Sequence, residues 1–309
     1  MTGKFTPTRR SALRCLAYGG AGTAFALAGG ILTTFDVADA ESPAANHLKP
    51  LFVQISDSHI GFNKDANPDV RGTFLRAIGL INRMPAQPRF VMHTGDITHL
   101  SKPEEFDTAA EIMKSLSAAE VHTVPGEHDV IDATGQGYME RYGKPSAGRG
   151  YYSFDSGGVH FVALVNVLNF KPGGLGALGS DQLSWLKADL AGRPVSQPIV
   201  VFAHMPLWTI YAPWGWGTAD ADAAMSFLRR FGSVTVLNGH IHQIVQKIEG
   251  SITFHTARAT AYPQPRARMA DGPGPLKVPS DQLASMLGLT RVTAVRHRHA
   301  IALDDRTLG

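Results

Sequence analysis

Five times between residues 51 and 242 a short apolar run ends and a His, Asp or Glu follows within four positions. Residues 51–55 lead into Asp57-Ser58-His59, residues 90–92 into Thr94-Gly95-Asp96, and residues 121–124 into Gly126-Glu127-His128-Asp129. Residues 198–203 lead into His204, and residues 234–237 into Asn238-Gly239-His240-Ile241-His242. Short apolar runs bounded by turn residues read as buried strands. Helical periodicity separates them over residues 69–84, 102–119, 181–190 and 219–230, with Ser101 a plausible N-cap of the second helix. Strand-helix alternation calls for α/β layering. In such sheets the carboxyl ends of the strands converge on a ligand crevice, so the five loops are expected at one point.

Two hairpins interrupt the alternation. Residues 151–154 and 159–167 turn over Ser156-Gly157-Gly158, and residues 245–248 and 252–255 turn over Glu249-Gly250. They call for mixed sheets, two of them packed together. Residues 262–279, rich in Pro and Gly, read as an irregular wrap, and residues 280–309 as a short helix and an edge strand.

The donors point to a metal centre. The chain has one cysteine, Cys15, so a thiolate site in the body is excluded and the ligands must come from His, Asp, Glu or Asn. That set suits Mn, Fe or Zn. Hydrolysis of a phosphate ester needs the phosphoryl charge offset and water made nucleophilic near neutral pH. Two cations roughly 3.5–4 Å apart do both. Asp96 is the candidate shared carboxylate. The glycines before Asp96, Glu127 and His240 allow tight loops to bring these side chains close.

The full set resembles the calcineurin-like metallophosphoesterase family, whose pattern runs Asp-x-His, Gly-Asp, Gly-Asn-His-Asp/Glu, His, Gly-His-x-His. The resemblance covers about residues 50–257. It implies a four-layer α/β/β/α sandwich. It also implies a first metal ion held by Asp57, His59 and His242, a second held by His204 and His240, and Asp96 between them. His128, paired with Asp129, would face the leaving group, and the substrate would be a small-molecule phosphate ester. Glu127 stands where the family has Asn. It gives the second metal a longer, charged ligand and makes the site one charge more negative. That favours a monoanionic diester over a monoester dianion; the alternatives are a phosphomonoesterase, or a metal-binding protein whose catalysis Glu127 has altered. His93 and His99, beside the Gly-Asp motif, are expected as surface residues or as partners of the ligands. The aromatic loop of Trp208, Tyr211, Trp214 and Trp216 is expected as a wall over the site or as a hydrophobic flap.

The first 40 residues look like an export signal. Arg9 and Arg10 open a basic stretch, residues 16–32 are apolar with five glycines, and Ala38-Asp39-Ala40 is a small-x-small cleavage site. The paired arginines resemble the twin-arginine type. The expected layout is therefore a leader over residues 1–40 and a metallophosphoesterase domain over 41–309, with a motif core at 50–257 and a C-terminal wrap at 258–309. Cleavage after Ala40 by way of the twin-arginine export machinery would place the protein in the periplasm or outside the cell, with no stable membrane span. The chain's net charge of +3 falls to +1 without residues 1–40, since 25 basic and 24 acidic residues remain. No basic patch for nucleic acid is evident.

Overall fold

The computed structural model describes the backbone of residues 23–28 and 31–36, and residues 51–309 apart from 118–119, 132–134, 170–172 and 296–299. Strands β1 (Thr23–Ala28) and β2 (Ile31–Asp36) form an antiparallel pair. The paired arginines and the Ala38-Asp39-Ala40 site lie outside the described residues. Among the described residues no helix is long and apolar enough to cross a membrane.

Two mixed sheets form the body. In the first, β3 (Phe52–Ile55), β4 (Phe90–His93) and β5 (Glu120–Thr123) run parallel. The antiparallel pair β12 (Gly288–Val295) and β13 (Ala300–Thr307) extends this sheet beyond β3. The second sheet contains β6 (Tyr152–Ser156), β7 (Val159–Ala163), β8 (Ile199–Phe202), β9 (Val234–Asn238), β10 (Gln246–Glu249) and β11 (Ile252–Thr256). Its order is β10-β11-β9-β8-β7-β6, with β7, β8, β9 and β11 parallel and the two hairpins at its edges.

The period-2 pleat decides which residue faces which layer. Phe52, Phe90, Met92, Phe161, Ala163, Val200, Phe202 and Leu237 form the core between the sheets. Their neighbours Val53, Ile55 and Val91 face outward under helices α1 (Val70–Asn82) and α2 (Pro103–Lys114). Val162, Ile199, Val201, Val234 and Val236 face outward on the other side, under α4 (Ser180–Leu190) and α5 (Ala221–Leu228). Helix, sheet, sheet, helix is the layering expected from the sequence. Fully apolar strands follow from burial on both faces.

Several boundaries differ from expectation. Helix α2 stops at Lys114 because Asn82 captures the chain beyond it, donating to the Ser115 carbonyl and accepting from Ser117 N at 2.8 Å each. Ser101 does not cap this helix. Its backbone is left-handed, with φ 55°, and its hydroxyl donates to the His128 carbonyl at 2.7 Å. The Glu105 carboxylate instead accepts from Leu100 N at 2.7 Å and Lys102 N at 3.4 Å. Two short helices follow elsewhere: α3 (Gln136–Tyr142), which the sequence reading missed, and α6 (Ser280–Met286). The C-terminal segment supplies two paired strands rather than one edge strand, and β12 is sandwiched between β3 and β13.

Candidate metal centre and cleft

The parallel strands β3, β4 and β5 of one sheet and β8 and β9 of the other end at the same place. Two buried side chains help hold these ends together. Gln54 donates to the Thr94 hydroxyl at 2.9 Å and to the Asn238 carbonyl at 3.2 Å, and Asn238 donates to the Ala203 carbonyl at 2.7 Å. The loops beyond the strands continue the ladder: Asp57 N donates to Gly95 O at 3.0 Å, His59 N to Asp96 O at 2.9 Å, and Gly239 N to His204 O at 3.0 Å.

Seven ligand-type side chains meet there. Asp57, His59 and His242 form one group, and Glu127, His204 and His240 a second. Asp96 lies between them, its Oδ2 3.5 Å from His59 Nε2 and 3.4 Å from His204 Nε2. Within the first group His242 Nε2 is 3.3 Å from Asp57 Oδ1 and 3.2 Å from His59 Nε2. Within the second, Glu127 Oε2 is 2.8 Å from His204 Nε2 and Oε1 is 2.9 Å from His240 Nδ1.

The loops pay for this convergence in backbone strain. Asp57, His59, Asp96, His240 and His242 all have positive φ, between 40° and 72°. Such conformations cost about 1–3 kcal/mol each in non-glycine residues and concentrate at functional sites. Two glycines are required by close approach. Gly95 has φ +96°, and a Cβ there would lie 2.5 Å from His204 Nδ1. A Cβ on Gly126 would collide with the Asp96 carboxylate and amide.

The donor set fits metal ions. His204 donates Nδ1–H to the Thr94 carbonyl at 2.7 Å, and His242 donates Nδ1–H to the Tyr262 carbonyl at 2.6 Å. Both rings thereby turn an Nε2 lone pair inward, the arrangement that orients metal-ligating histidines. His204 Nε2, Glu127 Oε2 and His240 Nδ1 are buried, and their contacts at 2.8–2.9 Å lack hydrogen-bond geometry. Buried polar atoms are ordinarily satisfied, so their lone pairs suit a cation.

The charges interlock in the same sense. Burial alone would raise the Asp57 pKa, but His242 and His204 outweigh it and hold the carboxyl down at about 2. Burial opposes ionisation of Glu127 as well, and His240 and His204 carry it well below the usual range. Burial lowers the His59 pKa well below normal, reinforced by His128 and His242.

His128 is in neither group, although its ring also comes within ligand distance of His59 and His99 and of Asp96 and Glu127. Its Nδ1–H donates to the His99 carbonyl at 2.7 Å, and its backbone N donates to Asp96 Oδ1 at 2.9 Å. Burial would lower its pKa, but Asp96, Glu127 and the His99 carbonyl raise it above the ordinary value. The expected pairing of His128 with Asp129 is corrected. Both Asp129 oxygens are taken up by Ile97 N, Thr98 N, Gly126 N and the Thr98 hydroxyl, at 2.8–3.0 Å. Burial first and the nearby Asp96 second push the Asp129 carboxyl up to about 6, while these backbone donors pull it back. Asp129 is a positioning residue that clamps the loop after Asp96 to the turn carrying His128.

His99 and Tyr262 are part of the site. The His99 ring stacks on His128 at 5.0 Å and 15°, and its Nδ1 is 3.5 Å from His59 Nδ1, so the surface reading of His99 is set aside. Tyr262 stacks on His59 at 4.9 Å. His93 is fully buried behind the site, with Nε2 2.9 Å from the Ser58 hydroxyl. A cleft of about 670 Å³ opens over the cluster, lined by His59, Asp96, Glu127, His128 and His240 together with Phe62, Trp214 and Trp216. Of the aromatic loop, Trp214 and Trp216 form part of the expected wall. Trp208 packs on Phe254 in the outer core of the second sheet instead.

A calcineurin-like phosphoesterase model matches residues 50–244, and the chain belongs to that family. It is similar to purple acid phosphatase 15 of Arabidopsis thaliana, 28% identical over 47% of this chain and 28% of the plant protein. It is also similar to a probable cyclic nucleotide phosphodiesterase of Rhodopseudomonas palustris, 26% identical over 60% of this chain and 68% of that protein. The chain thus spans well under half of the plant relative and about two thirds of the bacterial one. Among solved structures, a dimetal phosphatase from Danio rerio superposes with a TM-score of 0.65 at 15% identity, over 84% of this chain and 98% of that one, which is a likeness of fold.

Proposed function

We propose that this chain is an exported hydrolase of phosphoric esters that works with two metal ions and favours diesters. The observation that carries the reading is the placement of Asp96 between the two ligand groups on the floor of the cleft. Asp57, His59 and His242 would hold one ion and Glu127, His204 and His240 the other. When bound, the ions offset phosphoryl charge and supply a nucleophilic water near neutral pH. The protein's own residues do the rest. The Thr94 and Tyr262 carbonyls fix the tautomers of His204 and His242. His128, with Nδ1–H held by the His99 carbonyl, has Nε2 left to give a proton to the leaving oxygen.

Glu127 bears on substrate charge. Two divalent ions against the carboxylates of Asp57, Asp96 and Glu127 leave one net positive charge on the metals and their ligands, one fewer than with asparagine at 127, which favours a monoanionic diester over a dianion. The similarity to a phosphodiesterase supports the same preference.

Elemental analysis of protein purified without chelators should give close to two equivalents of Mn, Fe or Zn per chain. Folded protein with no metal would sink the proposal, and one equivalent would mean that Glu127 has disabled the second position. The leader expected over residues 1–40 bears on where the metals are acquired. Export in the folded state lets the ions be loaded before the protein leaves the cytoplasm. Intact mass of the native protein should show a mature chain beginning at Glu41, recovered outside the cytoplasm. A soluble cytoplasmic protein retaining residues 1–40 would rule export out.

A further inference from the structure

We propose, taking the hydrolase reading above as its basis, that the cleft selects phosphodiesters whose second ester group is bulky, uncharged and apolar. Two observations carry this. The first is the make-up of the rim. The cleft that His128 lines is also lined by Val130, Ile131, Leu168, Trp214 and Trp216. Ile131 is 53% exposed and Leu168 37%, although each adjoins a well-packed interior. Two of the seven large hydrophobic side chains that stand exposed among the described residues, Ile131 and Leu168, line this one cleft. Contiguous exposed apolar surface on a soluble protein marks a place where something apolar docks. Its continuity with the cleft makes the substrate's own ester group the occupant.

The second observation is charge. Lys64, itself exposed, is the one lysine or arginine among the described residues that line the cleft. Among the described residues a second phosphate or a carboxylate on the substrate would find no further lysine or arginine there and would face Asp96 and Glu127. Charged substituents are disfavoured and apolar ones have a wall to cover. Flat aryl groups and extended alkyl chains share this chemistry, and the experiment separates them.

The test is calorimetric titration of the metal-loaded full chain, at several temperatures, with dimethyl phosphate, methyl 2-naphthyl phosphate and methyl octyl phosphate. At least one apolar ester should bind roughly 10-fold or more tighter than dimethyl phosphate, in line with the roughly 10–200-fold effect of one methylene in an apolar pocket. Its binding heat-capacity change should be the more negative, the mark of apolar burial. The tighter of the two identifies an aryl or an alkyl site. In a combined Ile131→Ser, Leu168→Ser variant the affinity ratio should fall towards one. Equal affinities in the wild type, or a ratio that survives in the variant, overturn the inference. Turnover of the corresponding p-nitrophenyl diesters is measured alongside. Hydrolysis without an affinity ratio removes the selectivity and leaves the hydrolase reading standing. An affinity ratio without hydrolysis removes the hydrolase reading and leaves the selectivity.

Discussion

Replacing His128 with alanine is expected to lower the rate of ester hydrolysis by roughly 10²–10⁴, the worth of a positioned general acid, while metal content stays at the wild-type value. The geometry separates the two effects. His128 belongs to neither the Asp57–His59–His242 group nor the Glu127–His204–His240 group, although it also lies within ligand distance of Asp96 and Glu127, so the metal count is the decisive readout. Its Nδ1 is committed to the His99 carbonyl, so the ring is held by backbone and needs no metal for its orientation. Asp96 and Glu127 raise its pKa against the effect of burial. The loss should shrink for esters with good leaving groups, which depart without protonation. A His128→Ala protein that matched wild type on every hydrolysed ester would end the acid role. A fall by one metal equivalent would make His128 a ligand instead.

Which residues meet at the strand ends was legible because two physical rules coincide there. A parallel strand covered on both faces must be a continuous apolar run, and the first charged residue after it marks where the chain leaves the core. Val200-Val201-Phe202 before His204 shows that break without any partner being known. The layering followed from the same runs. His99 and Tyr262 had no such signal. His99 lies in a loop without periodicity, and only the turn of that loop stacks it on His128. Tyr262 opens a Pro-rich stretch and joins the site because Ala261 N donates to the Asp57 carbonyl at 3.1 Å across the whole fold.

Other misses have two causes, a partner remote in sequence and a missing local cue. Strand β12 pairs with β3 through Thr290 opposite Gln54, a contact no local pattern announces. Helix α3 begins at Gly135, in the left-handed region with φ 66°, so it lacks the capping side chain that betrays a helix start. The apparent N-cap at Ser101 misled for the first of these reasons. Its hydroxyl could have served the helix, but the His128 carbonyl claims it.

The role corrected for Asp129 leads to the second large effect. Asp129→Ala is expected to destabilise the metal-loaded protein by about 3–5 kcal/mol, from about 1–3 kcal/mol for each buried donor left without a partner. The carboxylate is fully buried and accepts from three backbone amides and one hydroxyl. Removing it strands Ile97 N, Thr98 N and Gly126 N in a place too tightly packed for water to replace it in full. The consequence should extend to the site. Gly126 N and Thr98 N belong to the two loops that present Glu127 and Asp96, so the clamp fixes the spacing between the shared carboxylate and the second ligand group. Urea denaturation should show a lower midpoint with the slope preserved, and the same samples should hold less metal. Asp129→Asn keeps one acceptor oxygen but turns an amide donor towards backbone N–H groups, so it should lose nearly as much. A catalytic partner of His128 would behave differently, losing rate while keeping stability and metal. A stability loss below about 1 kcal/mol in the alanine variant would show that these donors find other partners and that Asp129 does not hold the loops together.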